Sequence, residues 1–263
     1  MSAVRAKAVR LAAPGATGSQ RRARPLLGTL VEVGLAPSAT LCEAGFEAAF
    51  TAAFGAITAV QMALSRFDAR SDINRFDRLP AGASLALQPA GARALRAAQA
   101  LSQASGGLFD ISLGTGPLAW HCRAGRLHKQ ASGVQLDLAG IAKGQAVDAA
   151  VHALRRAGCT AGWVNAGGDL RVFGAIDLPL WLRDETRGGV RAIGTLADGA
   201  FATSRFAPGS RCQVAGGPVG LAAHVSVAAP RCLWADALTK IVALSGDAAH
   251  PLLARLGARA WVH

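Results

Sequence analysis

This chain of 263 residues has no tyrosine, 5% aromatic residues, and only four lysines (Lys7, Lys129, Lys143 and Lys240) among its 28 basic residues. Proteins that grip single-stranded nucleic acid pair a basic groove with aromatic stacking platforms. Here the arginines are mostly scattered singly and aromatics are scarce, so the net charge of +12 does not point to a nucleic-acid partner. It reads instead as arginine-rich composition together with attraction for anionic ligands. The five cysteines (Cys42, Cys122, Cys159, Cys212, Cys232) stand far apart without a CxxC pair. That excludes a disulfide framework and the usual zinc spacings, and the six histidines form no HxxxH or HxxE pattern. Neither GxSxG nor GxxxxGK[ST] occurs, which removes the serine nucleophile elbow and the P-loop. No run of eighteen apolar residues is present to span a membrane. The first thirty residues lack an apolar h-region with a cleavage site, and Glu32 interrupts the run behind Arg21 and Arg22. The expectation is a cytoplasmic protein with no transmembrane segment.

What is present is a large core: 51% hydrophobic residues against 17% charged describe a folded globular chain. We expect residues 1–24 to be a flexible basic leader, carrying Arg5, Lys7, Arg10, Arg21, Arg22 and Arg24, and residues 25–263 to form a single domain. LGTLVEVGL alternates as a first strand. A long helix follows from Thr40, with Thr40 and Glu43 as a capping box and Phe46, Phe50, Phe54 and Ile57 as a core stripe. Residues 65–78, SRFDARSDINRFDR, show neither period and read as a loop, on the surface or against a ligand. A second helix runs from Gly91 to Ser105 and ends at Gly106 and Gly107. Residues 172–201 read as a strand meander with Trp181 and Leu182 in the core, followed by the strand HVSVAAP. A helix from Trp234, a short helix over Pro251–Leu256 and a terminal strand RAWVH close the chain.

The chemistry concentrates between Leu136 and Asp169, LDLAGIAKGQAVDAAVHALRRAGCTAGWVNAGGD. Val134, Leu136 and Leu138 alternate with Gln135 and Asp137 like a half-buried strand, Gly140 ends it, and a helix begins near Lys143 and is capped by Gly158. Trp163 and Val164 start a return strand that stops at Asn165, Gly167 and Gly168. Glycine turns beside a helix N-terminus admit an anion to backbone N–H groups. Lys143 opposes the helix macrodipole there, which a bound anion would rationalise. Asp236 and Lys240 are four apart on one helical face, either a surface ion pair or a carboxylate and an ammonium presented to phosphate. Asp110, behind a double glycine, either caps a turn or accepts hydrogen bonds from a bound ring.

LDLAGIAKGQAVD followed by VNAGGD, together with LGT (27–29), SDIN (71–74), GGLFD (106–110), ATS (202–204) and ADAL (235–238), resembles the ApbE-type FAD:protein FMN transferases, with the blocks in that family's order over about residues 25–245. The resemblance implies an α+β, T-fold-like architecture of mixed or antiparallel sheets with packed helices in two intimately associated halves. It implies transfer of FMN from FAD, the substrate, to a threonine or serine of an acceptor flavoprotein, with release of AMP. It places FAD contacts on Leu27, Phe67, Leu108, Phe109, Asp110, Asp137 and Lys143, and a magnesium ion on the carbonyl of Gly140 and on Asp236. Asp236 and Lys240 are the residues it offers for catalysis.

Four departures matter. Leu27 replaces a usual methionine and Phe67 a usual tyrosine. Lys240 stands where the family has a threonine ligand, and a protonated ammonium cannot ligate a metal. Either the magnesium is held with one ligand fewer or Lys240 itself neutralises the pyrophosphate. The family's H-x-x-x-P-x-T-G segment corresponds to CQVAGGPVG, residues 212–220, which has no histidine. The alternative reading is therefore an FAD-binding relative that has lost transfer and serves as a carrier or accessory protein.

Overall fold

The computed structural model of the chain describes residues 19–38, 41–183, 189–207 and 223–263. In chain order the first half holds β1 (Gln20–Leu26), β2 (Thr29–Leu35), α1 (Glu43–Leu64), α2 (Asp72–Asp77), β3 (Ser84–Ala86), α3 (Pro89–Ala104), β4 (Trp120–Arg123) and β5 (Arg126–Lys129). The second half holds α4 (Ala142–Arg156), β6 (Gly162–Ala166), β7 (Asp169–Phe173), β8 (Asp177–Arg183), β9 (Val190–Ala197), β10 (Ala200–Phe206), β11 (Ala223–Ala229), α5 (Cys232–Ser245), α6 (Pro251–Arg255) and β12 (Arg259–Val262).

Seven strands form one sheet in the order β1-β2-β6-β7-β10-β11-β12, and each of its described pairings is antiparallel. The alternation in β2 decides which way the sheet faces: Val31, Val33 and Leu35 are buried under the helices, while Glu32 on the other face accepts a hydrogen bond from Trp163 Nε1 at 3.0 Å. On that second face the β8–β9 hairpin lays Leu178, Leu180 and Leu196 against Trp163, Val172 and Phe201. A smaller sheet, β3-β5-β4, packs with α2 and α3 beside it. Leu85 and Leu127 from that sheet share one core with Phe50, Phe54 and Val147 from α1 and α4. The α+β architecture of two intimately packed halves is thus what the chain forms.

Five expectations change. Residues 20–24 of the presumed leader are strand, because β1 pairs with β2 from Gln20↔Leu35 to Leu26↔Thr29. Its arginines hid an edge strand, and they lie over the aromatic stripe of α1, Arg22 over Phe50 and Arg24 over Phe54. That stripe is buried as expected, but the helix starts after Cys42, which makes no side-chain cap; Thr40 lies outside the described residues. The stretch read as a loop at 65–78 contains α2, started by Ser71, whose hydroxyl accepts from Asn74 N at 3.0 Å, and anchored by fully buried Ile73 and Phe76. Residues 134–138 keep their alternating burial without joining a sheet. Their backbone donors go to Thr115 Oγ1, Asp77 Oδ1 and the Ile111 carbonyl, so the pattern of two records burial and not pairing. Trp181 is half-buried, whereas Leu182 is core.

The contact that positions the rest is between α4 and α5. Asp148 on α4 accepts from the N–H groups of Cys232 and Leu233, both at 3.1 Å, and so caps the start of α5. Asp236 on α5 accepts from Gly144 N at 3.1 Å and caps the start of α4, which has no cap of its own at Ile141. Each helix supplies the other's missing acceptor. The exchange needs close approach, and Gly144 provides it: a Cβ there would stand 2.4 Å from the carbonyl oxygen of Cys232.

Two outcomes follow from this junction. Gly144→Ala gains about 1 kcal/mol of helix propensity, but the backbone of α5 must move, and overpacking of this kind costs about 1–3 kcal/mol. The variant should be less stable, with a Tm lowered by several degrees in differential scanning calorimetry; a raised Tm would show that the close approach is not needed. Asp148→Asn removes the charge paired with Arg171 and Arg231 and leaves the largely buried Arg171 without a counter-ion, at a cost of about 3 kcal/mol. Urea unfolding should register that loss, and a change below about 1 kcal/mol would show that the Asp148 charge is not needed to hold Arg171 and Arg231.

Candidate active site

The site begins where α4 begins. The carbonyl of Leu138 accepts from the N–H groups of Ile141 and Ala142 at 3.0 and 2.8 Å and turns the chain into the helix, so that Lys143 stands at its second position. A cation in the first turn is unfavourable against the macrodipole. Carboxylates answer it: Lys143 Nζ donates to Asp169 Oδ2, at the first residue of β7. Burial works against the Lys143 charge, but Asp169 and then Asp236 outweigh it and hold its pKa above the ordinary lysine value. About a third of the Lys143 side chain remains open to solvent, against 2% for Asp169. The open part of this ion pair therefore lies on the Lys143 side chain and not on Asp169.

Asp169 is delivered by the β6–β7 turn. Asn165 Oδ1 accepts from Gly168 N at 3.0 Å, Gly168 has φ +107° with open space where a Cβ would point, and Gly167 rests on the side chain of Thr29. The β1–β2 turn thus touches the β6–β7 turn. That first turn places Leu27 at φ 56° ahead of Gly28 at φ 71°, and the N–H of Leu27 donates to Gln61 Oε1 at 2.7 Å near the end of α1. A leucine in the left-handed region is uncommon and strained.

Asp236 and Lys240 lie on one face of α5, as their spacing requires, but buried: the side chains are 0% and 12% exposed. The surface ion-pair reading is excluded. Lys240 Nζ donates to Asp236 Oδ1, to the Asp236 carbonyl at 2.9 Å, and to Ser204 Oγ on β10 at 3.2 Å. Thr239, one position earlier, donates its hydroxyl to the Asp236 carbonyl at 2.7 Å, and its oxygen lies in hydrogen-bond contact with Ser204 Oγ at 2.9 Å. The two carboxylates respond differently. Burial, then Asp236, push Asp169 above the ordinary carboxylate range. Burial also opposes the charge of Asp236, but Lys240 and then Lys143 override it and keep Asp236 below that range. Beside them, burial and then Asp169 raise the thiol of Cys232 well above its usual value, so it is no nucleophile.

The other expected FAD contacts divide into two groups. Phe67 is 90% exposed, with the Arg66 guanidinium 5.7 Å from its ring, and Arg66 Nη1 reaches Asp137 Oδ2 at 2.9 Å. Leu27, Phe67, Asp137 and Lys143 are therefore at least partly accessible. Phe109 is fully buried and Leu108 partly so. Asp110 is 1% exposed and is taken up by its own turn, accepting from Ser112 N at 2.8 Å, Ser112 Oγ at 2.8 Å and Gly114 N at 2.9 Å. Of the two readings open for Asp110, the turn cap is the one its hydrogen bonds satisfy.

The donor set does not suit the divalent metal that the resemblance implies. Asp236 Oδ1 is taken by an ammonium and Oδ2 by Gly144 N–H; the carbonyl of Gly140 is a single neutral donor. Among the described residues no cluster of three or more His, Cys, Asp or Glu converges for a metal ion. The stretch 212–220 lies outside the described residues.

Sequence reasoning gave no role to Asp169, Asp148, Arg66 or Ser204. Asp169, Asp148 and Ser204 sit inside the blocks VNAGGD, KGQAVD and ATS, and for Asp169 an acid closing a glycine turn is the available signal. A cavity of about 740 Å³ lined by Ala56, Val60, Arg93, Gln145, His152 and Arg156 lies between α1, α3 and α4, and none of the site residues above lines it.

Three of the solved structures that share the fold illustrate the likeness. The flavinyl transferase ApbE of Pseudomonas stutzeri, in its apo form, superposes with a TM-score of 0.78 at 24% identity, covering 93% of this chain and 90% of that one. The flavin transferase ApbE of Vibrio cholerae gives 0.77 at 18%, covering 86% of each chain. The ApbE protein of Thermotoga maritima gives 0.75 at 21%, covering 93% and 94%. Comparison with curated protein sequences gives no match. The ApbE family model matches residues 27–127 and 116–207, more than half of the chain, and with the order of the sequence blocks and this fold it follows that the chain belongs to the ApbE family.

Proposed function

We propose that this protein is a flavin transferase that moves FMN from FAD onto a threonine or serine of a partner flavoprotein. The acceptor hydroxyl attacks the FMN-side phosphorus, the bond from that phosphorus to the bridging oxygen breaks, and AMP leaves with that oxygen. The hydroxyl proton passes to solvent. The observation that carries this reading is the convergence of two ammoniums, Lys143 and Lys240, on two buried carboxylates at a helix N-terminus and beside an open glycine turn.

Phosphoryl transfer relies on positioning and on cations placed where charge develops. Lys143, partly exposed and kept protonated, is suited to phosphate oxygens. Arg66 and Asp137 form a polar rim, and Phe67 offers an uncovered ring. Asp236 has both oxygens engaged and a lowered pKa, so we assign it to positioning rather than to proton abstraction. The retained Lys143, Asp137 and Asp236 favour the active reading. The missing histidine in residues 212–220 favours a relative that binds FAD without transferring it.

Protein mixed with FAD and an acceptor flavoprotein domain should yield in-gel flavin fluorescence on the acceptor and an equal amount of AMP. FAD binding without AMP release against two different acceptors would reject transfer and leave the binding-only reading. Lys143→Gln should weaken FAD binding by about tenfold to a hundredfold, the equivalent of one charge-assisted hydrogen bond, while circular dichroism reports an intact fold. Unchanged affinity would remove Lys143 from the phosphate site.

A further inference from the structure

We propose that the Lys240 ammonium is the resident cation of this site, taking the place of a divalent metal, so that the site binds its pyrophosphate ligand without one. The inference rests on the flavin reading for the identity of the ligand, but the placement of the cation rests on the residues alone. Lys240 reaches back one helical turn, as side chains leaning toward a helix N-terminus do. Its nitrogen comes to rest on the acidic and carbonyl oxygens of Asp236 and on Ser204 Oγ. Those are oxygens a hard cation would use, and a protonated amine there repels one.

The neighbouring residues close the remaining routes. Asp236 Oδ2 is committed to the N–H of Gly144, across an interface where Gly144 already lies against the backbone of α5. Asp169 is held by Lys143. The hydroxyl that could replace a missing ligand, Thr239, points to Ser204 and to its own helix. A divalent ion would have to displace an ammonium from a carboxylate that is 0% exposed. The charge balance changes as well. Whatever the protonation of the aspartates, a divalent ion in place of the singly charged Lys240 would leave the same cluster one unit more positive. Lys240 thus preserves a cation at this point while lowering the pull on an anion, and metal concentration ceases to control the site.

Two measurements on the whole chain test this. Manganese is titrated into the wild-type protein, with and without FAD, and free Mn²⁺ is followed by electron paramagnetic resonance; FAD affinity is measured in parallel in magnesium and in EDTA. The expected result is no stoichiometric manganese binding and the same FAD affinity in both buffers. Lys240→Thr should lose about tenfold or more of its FAD affinity in EDTA and recover it in magnesium, with a Tm that rises when manganese is added. Wild-type protein that takes up one manganese per chain, or that loses FAD affinity about tenfold in EDTA, overturns the proposal. Equal FAD affinities for wild type and Lys240→Thr in EDTA also overturn it. Wild-type protein that binds no FAD in either buffer rejects the flavin reading, and in that case the manganese titration still decides whether Lys240 holds the cation position.

Discussion

Two helix starts that lack caps of their own supply each other's. Asp148 leaves α4 to accept from the first turn of α5, and Asp236 leaves α5 to accept from the first turn of α4. Each carboxylate satisfies donors that would otherwise be buried and unpaired, and such groups are expensive to leave unmet. Because the caps are reciprocal, neither helix can shift along its axis without uncapping the other. The site inherits that rigidity: Lys143 is one residue before the capped Gly144, and Lys240 is one turn beyond the capping Asp236. The sheet supplies the rest, since β7 brings Asp169 and β10 brings Ser204 to the same place. An anion site in which charges must stay a fixed distance apart is better built on such a junction than on loops.

The scarcity of lysine carries a physical meaning that the sequence hinted at. All three lysines within the described residues are at least partly buried and bonded to oxygens. Lys129 is 3% exposed and donates to the carbonyl of Asp77 at 2.8 Å, at the end of α2. Lys143 and Lys240 serve the site. Solvated positive charge is left to arginine, as on β1, where Arg22 and Arg24 cover aromatic rings of α1. A compact ammonium on an unbranched stem fits a narrow buried slot where a planar guanidinium would not.

What could be read from residue order was the part governed by local rules. The stripe Phe46, Phe50, Phe54 and Ile57, the helix ended by Gly158 and the turn at Gly167 and Gly168 each follow from a period or from a residue without a Cβ. Two of the failures have one cause. Residues 134–138 and 20–24 are settled by which partner is adjacent, and adjacency is tertiary. Thr115 and Asp77 took the backbone donors of the first stretch, and β2 took those of the second. Asp169, Asp148 and Ser204 escaped for the same reason, because their partners lie at separations of 26, 84 and 36 residues. The role of Gly144 was equally hidden. In the fold it is the gap that lets two helices exchange caps.

The fourth residue after Asp236 can be exchanged within this architecture because of where α5 puts it. A side chain there faces back over the preceding turn onto the aspartate, whichever residue it is. With a hydroxyl in that position the buried carboxylate would need a cation from solution; with lysine the cation is covalently attached and present at all times. The reciprocal caps then explain why the exchange need not disturb the fold, since Asp236 keeps its bond to Gly144 through Oδ2 whichever cation sits on Oδ1. The same junction that fixes the helices separates the structural duty of Asp236 from its electrostatic one, and that separation leaves the cation position free to change.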